Sequence, residues 1–320
     1  MNHIMNQAPL VSVIIGFFNA EKFITETIES VMNQSLDDWE LLLVDDGSVD
    51  ASSDIAQRFS RLYPHKIHYL EHEGHRNRGV CASRNRGISK ATGKFIAILD
   101  SDDVWQADKL LQQMAILEAQ PEAGMVFGAS CYWNSWSGSE AEKSSDYTPP
   151  LGVAADTLHY PPTLLKRCHP LGRATAPCPS DLLLRREVVK AVNGFEEQFN
   201  GIYQLYEDQA FLAKIYLSTP VFVSSSSWTK YRLHPDSCVY RVESAGEEAQ
   251  VRLFYLSWLE NYLHTQHIDD PGIHGAIKKA LFFQRNPMLN QLASFLQKIV
   301  NRVNIGPLTK NMLASFKGKK

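Results

Sequence analysis

Nowhere in these 320 residues do eighteen apolar residues run together, so no segment reads as a membrane-crossing helix. The opening MNHIMNQAPL lacks the basic start and apolar centre of a secretory signal, and the expected location is the cytoplasm. The five cysteines (Cys81, Cys131, Cys168, Cys178, Cys238) are odd in number, scattered and without a CxxC pair. That spacing indicates neither a disulfide framework nor a cysteine zinc site, and they read as reduced thiols. No GxGxxG follows an apolar run, which argues against a dinucleotide oxidoreductase. Internal repeats and low-complexity tracts are also missing. So is acid at the C-terminal end: from Pro271 onward there are nine Lys and Arg and no Asp or Glu, in a chain whose net charge is −3. A segregated basic end points to an anionic partner, and the inner face of a membrane is expected rather than a nucleic acid.

With 44% hydrophobic and 21% charged residues, the remainder is that of a globular protein with a sizeable core. Short apolar runs at residues 11–15, 39–44, 67–70, 95–99 and 125–127 predict strands. Between the first two, Ile24, Ile28 and Val31 recur at helical spacing. Strand–helix alternation of this kind predicts an α/β fold with a mostly parallel central sheet flanked by helices. Ligands in such sheets gather beyond the carboxyl ends of the strands, where NAE, DDGS and DSDD fall. Residues 131–179, rich in Ser, Pro, Gly and aromatics, read as long loops or a lid. LLLRREVVKAV and YEDQAFLAKIYL read as helices, and beyond Ser244 the pattern is helical almost throughout. It ends in an apolar stripe of Met288, Leu292, Phe295, Ile299 and Val303 flanked by Lys298 and Arg302. Such a stripe either packs on the domain or lies on an anionic membrane.

Three aspartates within four positions, Asp100, Asp102 and Asp103, end the run FIAIL. Carboxylates this crowded need a cation, a helix N-terminus or open solvent. Helix capping accounts for one of them; an oxygen-rich loop of three suits Mg²⁺ or Mn²⁺ completed by substrate phosphates. In LLLVDDGSVD, Asp45 and Asp46 end another buried run, and Gly47 permits a tight turn near a ligand. A carboxylate there can accept a hydrogen bond from a base or ribose, or cap a turn. His65, His68, His72 and His75 would share a face on a helix, but Pro64, Ile67, Tyr69 and Gly74 favour a strand and loop, which scatters them.

The ordered set VSVIIGFFNAEKFITETIESVMNQS, LLLVDDGSVD, RGVCASRNRGISKATGKFIAILDSDD, GFEEQF and YEDQAFLAKI resembles the family 2 glycosyltransferases of the GT-A fold, over about residues 10–234. The resemblance implies a Rossmann-like catalytic domain at 1–240, with a nucleotide half near 8–105 and an acceptor half near 106–240, followed by a basic helical extension at 241–320. It places Phe18 and Asn19 beside the nucleotide base, Asp46 on uracil, and Asp100 with Asp102 at the ribose and diphosphate. Asp102 and Asp103 would hold Mn²⁺ or Mg²⁺, and Asp208 would be the catalytic base with Glu207 next to it. Arg84 of CASRN matches the family and is a partner for phosphate or Asp. YRLHPDSCV resembles a Tyr-Arg-x-His element, in which His234 completes the metal sphere or touches the diphosphate and Arg232 does the latter.

The sequence departs from the family pattern at Gly16, where Pro or Thr is frequent, and at Phe18, where Tyr is frequent; stacking on a base survives and a hydroxyl contact does not. No QxxRW follows Asp208, which disfavours a processive synthase. The implied reaction is inverting transfer of one sugar from a nucleotide donor, UDP-linked by preference, to a saccharide or lipid-linked hydroxyl, in cell-surface polysaccharide or glycoconjugate synthesis. A nucleotidyltransferase lacks support because FFNAEK is not a Gly-rich phosphate loop. An inactive sugar-nucleotide-binding or assembly module would be expected to lose its acidic set, which is present.

Overall fold

The computed structural model describes residues 8–138 and 146–286. The chain opens with strand–helix repeats: β1 (Val11–Phe17), α1 (Ile24–Met32), β2 (Trp39–Asp45), α2 (Ser52–Leu62), β3 (Ile67–Glu71), α3 (Val80–Lys90) and β4 (Phe95–Ile98). These four strands pair in parallel in the order β3-β2-β1-β4. β1, β2 and β4 are largely apolar on both faces because both faces are covered, whereas only Ile67 of the edge strand β3 is fully buried. Val13, Ile15, Leu41 and Leu43 cluster with Ile28 of α1 and Phe59 of α2, whereas Ile14, Leu42 and Val44 cluster with Cys81 and Ile88 of α3.

The second half is mixed. It comprises β5 (Val104–Trp105), α4 (Lys109–Ala119), β6 (Met125–Trp133), β7 (Thr157–His159), α5 (Thr163–Arg167), β8 (Leu183–Arg185), α6 (Arg186–Ala191), α7 (Glu207–Ser218) and β9 (Val221–Arg232). β8 lies antiparallel between β4 and β6, and β9 runs parallel to β6. The other edge of β9 takes β7 near its start and β5 near its end. Among the described residues these strands form one nine-stranded sheet. α8 (Cys238–Ala245), α9 (Glu248–Thr265) and α10 (Pro271–Arg285) follow. Val251, Leu256 and Ile273 of α9 and α10 join the same core as Leu212 and Ile215 of α7.

Three differences from the sequence reading have physical causes. LLLRREVVKAV is not one helix: Leu183–Arg185 is the strand that joins the two halves of the sheet, and only Arg186–Ala191 is helical. Residues 131–179 are not all loop, for β6 continues to Trp133 and β7 and α5 lie within them. The run SSSS hid β9, whose pairing with β6 overrides the weak strand preference of serine. The stripe from Met288 to Val303 and its flanking Lys298 and Arg302 lie outside the described residues. Among the described residues, no helix is long and apolar enough to cross a membrane.

Candidate functional site

In the parallel register Phe17 of β1 lies beside Asp45 of β2, so the turns after both strands leave the sheet side by side. Asn19 adopts left-handed backbone with φ 51°. Its N–H donates to Ser48 Oγ at 3.0 Å, and its Oδ1 accepts the Val49 N–H at 2.8 Å. Gly47 has φ 82°, and a Cβ there would lie 2.8 Å from the Asn77 N and the His75 O; the turn and the loop at 75–79 touch because no side chain intervenes. Asp45 is fully buried and accepts from the Ser48 N–H and the Ser53 and Tyr69 hydroxyls. Asp46 lines the cleft beside exposed Phe18. It accepts the Arg78 and Gly79 N–H groups, at 2.7 and 3.0 Å, where α3 begins. A carboxylate has about four lone-pair sites, so acceptor capacity for a base N–H is left.

Arg84, buried on α3, donates to Asp100 at 2.5 Å and to Glu207 at the start of α7. Its partners are thus carboxylates from both halves of the chain, one in the loop after β4 and one at the start of α7. Burial pushes the Asp100 carboxyl above its usual range, with Arg84 opposing. Asp102 and His234 both line the cleft, and Asp102 Oδ2 lies 2.9 Å from His234 Nε2. His234 Nδ1 is buried without a hydrogen-bond partner.

Asp103 is not brought to the cleft with them. β5 begins at the next residue and pairs with β9, and the Asp103 side chain is not among those lining the cleft. It is fully buried, accepting the Ser180 hydroxyl at 2.5 Å and the Arg232 N–H at 2.9 Å. Burial and the neighbouring Asp102 and Asp100 carboxylates hold its pKa well above the ordinary value. Arg232 also differs from the sequence expectation of a diphosphate contact. Its Nε–H donates to the Asp102 carbonyl at 2.6 Å and its Nη2 to Glu26 at 2.6 Å. The guanidinium lies over the Trp133 ring at 4.4 Å and the Phe23 ring at 4.9 Å. Those aromatics sit far apart in sequence and gave no signal of the cage.

Glu207 and Asp208 open α7. Glu207 is buried, with Oε1 on Arg84 and Oε2 unpartnered; burial pushes its carboxyl up to about 8 against the pull of Arg84. Asp208 is half-buried at the cleft, where its Oδ1 accepts the Gln209 N–H at 2.7 Å. Burial pushes it up to about 6, with that N–H opposing. The four histidines of residues 65–75 are spread over the turn before β3, β3 itself and the loop after it: His72 bonds Ser83 at 2.8 Å and His75 the Ser48 carbonyl at 2.9 Å.

Phe18, Asn19, Asp46, Asp102, Asp208 and His234 line one cleft of ≈ 1790 Å³, larger than the roughly 300–1000 Å³ of a pocket for one small ligand. Residues 12–192 match the family model described as Glycosyl transferase family 2. The putative teichuronic acid biosynthesis glycosyltransferase TuaG of Bacillus subtilis is 41% identical over 129 residues, 40% of this chain and 48% of that protein. The minor teichoic acid biosynthesis protein GgaA of the same organism is 42% identical over 106 residues, 32% of this chain and 23% of that one. The chain thus spans about half, or less, of the length of these curated relatives. Among solved structures, the mannosyltransferase PcManGT of Pyrobaculum calidifontis, in complex with GDP-Man and Mn²⁺, superposes with a TM-score of 0.56 at 19% identity, covering 91% of this chain and 81% of that one. S. aureus TarS 1–349 in complex with UDP-GlcNAc gives 0.54 at 20% identity, covering 71% and 60%. At such identities the likeness is one of fold, the GT-A arrangement of a curled sheet between helices.

Proposed function

The chain belongs to the family 2 glycosyltransferases, and from that membership we propose that it transfers one sugar from a nucleoside-diphosphate donor, UDP-linked by preference, to a hydroxyl of a saccharide or lipid-linked acceptor. The relatives named for teichuronic and teichoic acid biosynthesis support a role in assembling a cell-surface polysaccharide. The observation that carries the reading is that Asp102 with His234, and Asp208, line the same cleft as Phe18, Asn19 and Asp46.

Phe18 offers an exposed ring for the base, and Asp46 accepts a base N–H with its remaining lone pairs. Asp100 lies ready for the ribose, steadied by Arg84. Asp102 and His234 would hold a divalent ion. Among the described residues no three His, Cys, Asp or Glu groups gather as a closed site, and two protein ligands suit Mg²⁺ or Mn²⁺ completed by diphosphate oxygens and water. The chemistry supplied there, when the ion is bound, is neutralisation of charge gained by the departing diphosphate. Asp208 takes the proton of the acceptor hydroxyl; its raised affinity for protons makes it a stronger base than an open carboxylate. Glu207, committed to Arg84, is left out of that role. Attack from the side opposite the diphosphate inverts the anomeric carbon.

The test is release of nucleoside diphosphate from a panel of UDP-, GDP-, CDP- and dTDP-sugars with Mn²⁺ or Mg²⁺. Turnover of one donor class, lost in EDTA, is expected. No binding and no release with any donor would overturn the reading.

A further inference from the structure

Ser180 is fully buried in the short turn Pro179–Asp181 that precedes β8. Its hydroxyl donates to Asp103 at 2.5 Å and accepts the Asp100 N–H at 3.1 Å. Its carbonyl accepts the Trp105 Nε1–H at 2.6 Å and the Thr229 hydroxyl at 3.2 Å. One residue from the second half of the chain therefore grips the acidic loop at both ends. Asp103 passes the grip on: its other oxygen accepts the Arg232 N–H at 2.9 Å, and Arg232 returns a bond from Nε to the Asp102 carbonyl at 2.6 Å. His234 stands two residues after Arg232. The Asp102 backbone and the residues leading from β9 to His234 are thus fixed to each other through buried and partly buried bonds on Ser180, Asp103 and Arg232, none of which lines the cleft.

We propose that Ser180 and Asp103 form a positioning pair for Asp102 and His234, setting the 2.9 Å approach of their cleft-facing atoms without touching substrate. The inference rests on the reading of Asp102 and His234 as the place where a divalent ion and the donor diphosphate meet. In that geometry Asp103 acts through its neighbours and is not itself a ligand. Partners that orient metal-binding groups commonly govern metal affinity by about 10- to 100-fold, whereas a serine that merely satisfies buried polar groups governs stability alone.

The experiment titrates UDP into the full chain with Mn²⁺ and again with EDTA, by calorimetry, well below the melting temperature of each variant. Ser180→Ala is expected to weaken manganese-dependent binding by about tenfold or more and leave the EDTA affinity close to wild type. Asp103→Asn is expected to do the same, and keeps the test alive if Ser180→Ala fails to fold. Thr229→Val removes a bond to the same turn but not to the acidic loop; it is expected to lower the melting temperature and leave the manganese effect unchanged. Wild-type manganese dependence in both Ser180→Ala and Asp103→Asn would overturn the pair, whatever happens to melting. So would an equal loss in Thr229→Val, which would mean general loosening. If wild type itself shows no manganese-dependent binding of UDP, GDP, CDP or dTDP, the underlying reading falls and takes this inference with it.

Discussion

Glu207 and Asp208 are adjacent carboxylates given different work by their surroundings. Both line the cleft at the N-terminal end of α7, but Glu207 is bound to a buried guanidinium and Asp208 is not. Asp208→Asn should keep donor affinity near wild type and lower turnover by about 10²-fold or more; transfer at the wild-type rate would remove Asp208 from the role of base. A base works only when ionised, so the rate must fall as pH drops through its pKa. With Asp208 pushed up to about 6 by burial, the acid limb of donor turnover should lie near pH 6, and a limb near pH 4 would contradict that placement. Arg84 is the residue on which both carboxylate sites lean. Arg84→Met leaves Asp100 and Glu207 facing each other without their cation, a loss of about 3–5 kcal/mol for a broken buried pair, to be read from denaturant unfolding. An unfolding midpoint equal to wild type would show that the pair is not buried in solution. The cleft positions of Asn19, Asp46, Asp102 and Asp208 were legible from motif order because the first three lie in the turns after β1, β2 and β4 and Asp208 stands in the first turn of α7. The burial of Asp103 was not, since it goes with a two-residue strand that no periodicity reveals.

At the scale of elements, β1, β2 and β4 were legible because a strand covered on both faces must be apolar at nearly every position; β3, an edge strand with only Ile67 fully buried, was read from its short β-forming run. β8 has the same character over three residues, and an apolar run that short does not distinguish strand from helix; its pairing with β4 and β6 decides the matter. β9 was hidden by its serines, although it carries Arg232 and leads to His234. The turn after β2 offers an element-level check. Gly47→Ala places a methyl on a left-handed residue and within 2.8 Å of two backbone atoms of the loop at 75–79, a strain of about 1–3 kcal/mol before the clash is counted. The expected outcome is a lower melting temperature together with weaker nucleotide binding, since Asp46 and the Arg78 N–H sit on the two pieces being pushed apart. A variant that melts lower yet binds UDP as wild type does would show that the turn serves stability only.

At the scale of the whole molecule, charge is divided: α10 carries Lys278, Lys279 and Arg285 without an acid, and the basic residues continue beyond it. The sequence of residues 286–320 supports a proposal of peripheral attachment to anionic membrane, each basic residue near the surface contributing about 1 kcal/mol. The full chain should sediment with anionic vesicles at low salt, and less so at high salt or without residues 286–320. Equal sedimentation with neutral vesicles would end the electrostatic version of the idea. The buried ties beneath the cleft have a different kind of consequence, one for recombination. Arg84 with Glu207, the Asp100 N–H with Ser180, and Asp103 with Arg232 all cross the boundary we propose near residue 105, between a donor-binding and an acceptor half. A donor-binding half exchanged there between transferases would arrive with charges cut for another partner. Retuning donor choice by grafting therefore has to move these residues as matched sets, or confine itself to surface loops such as the turn at Phe18 and Asn19.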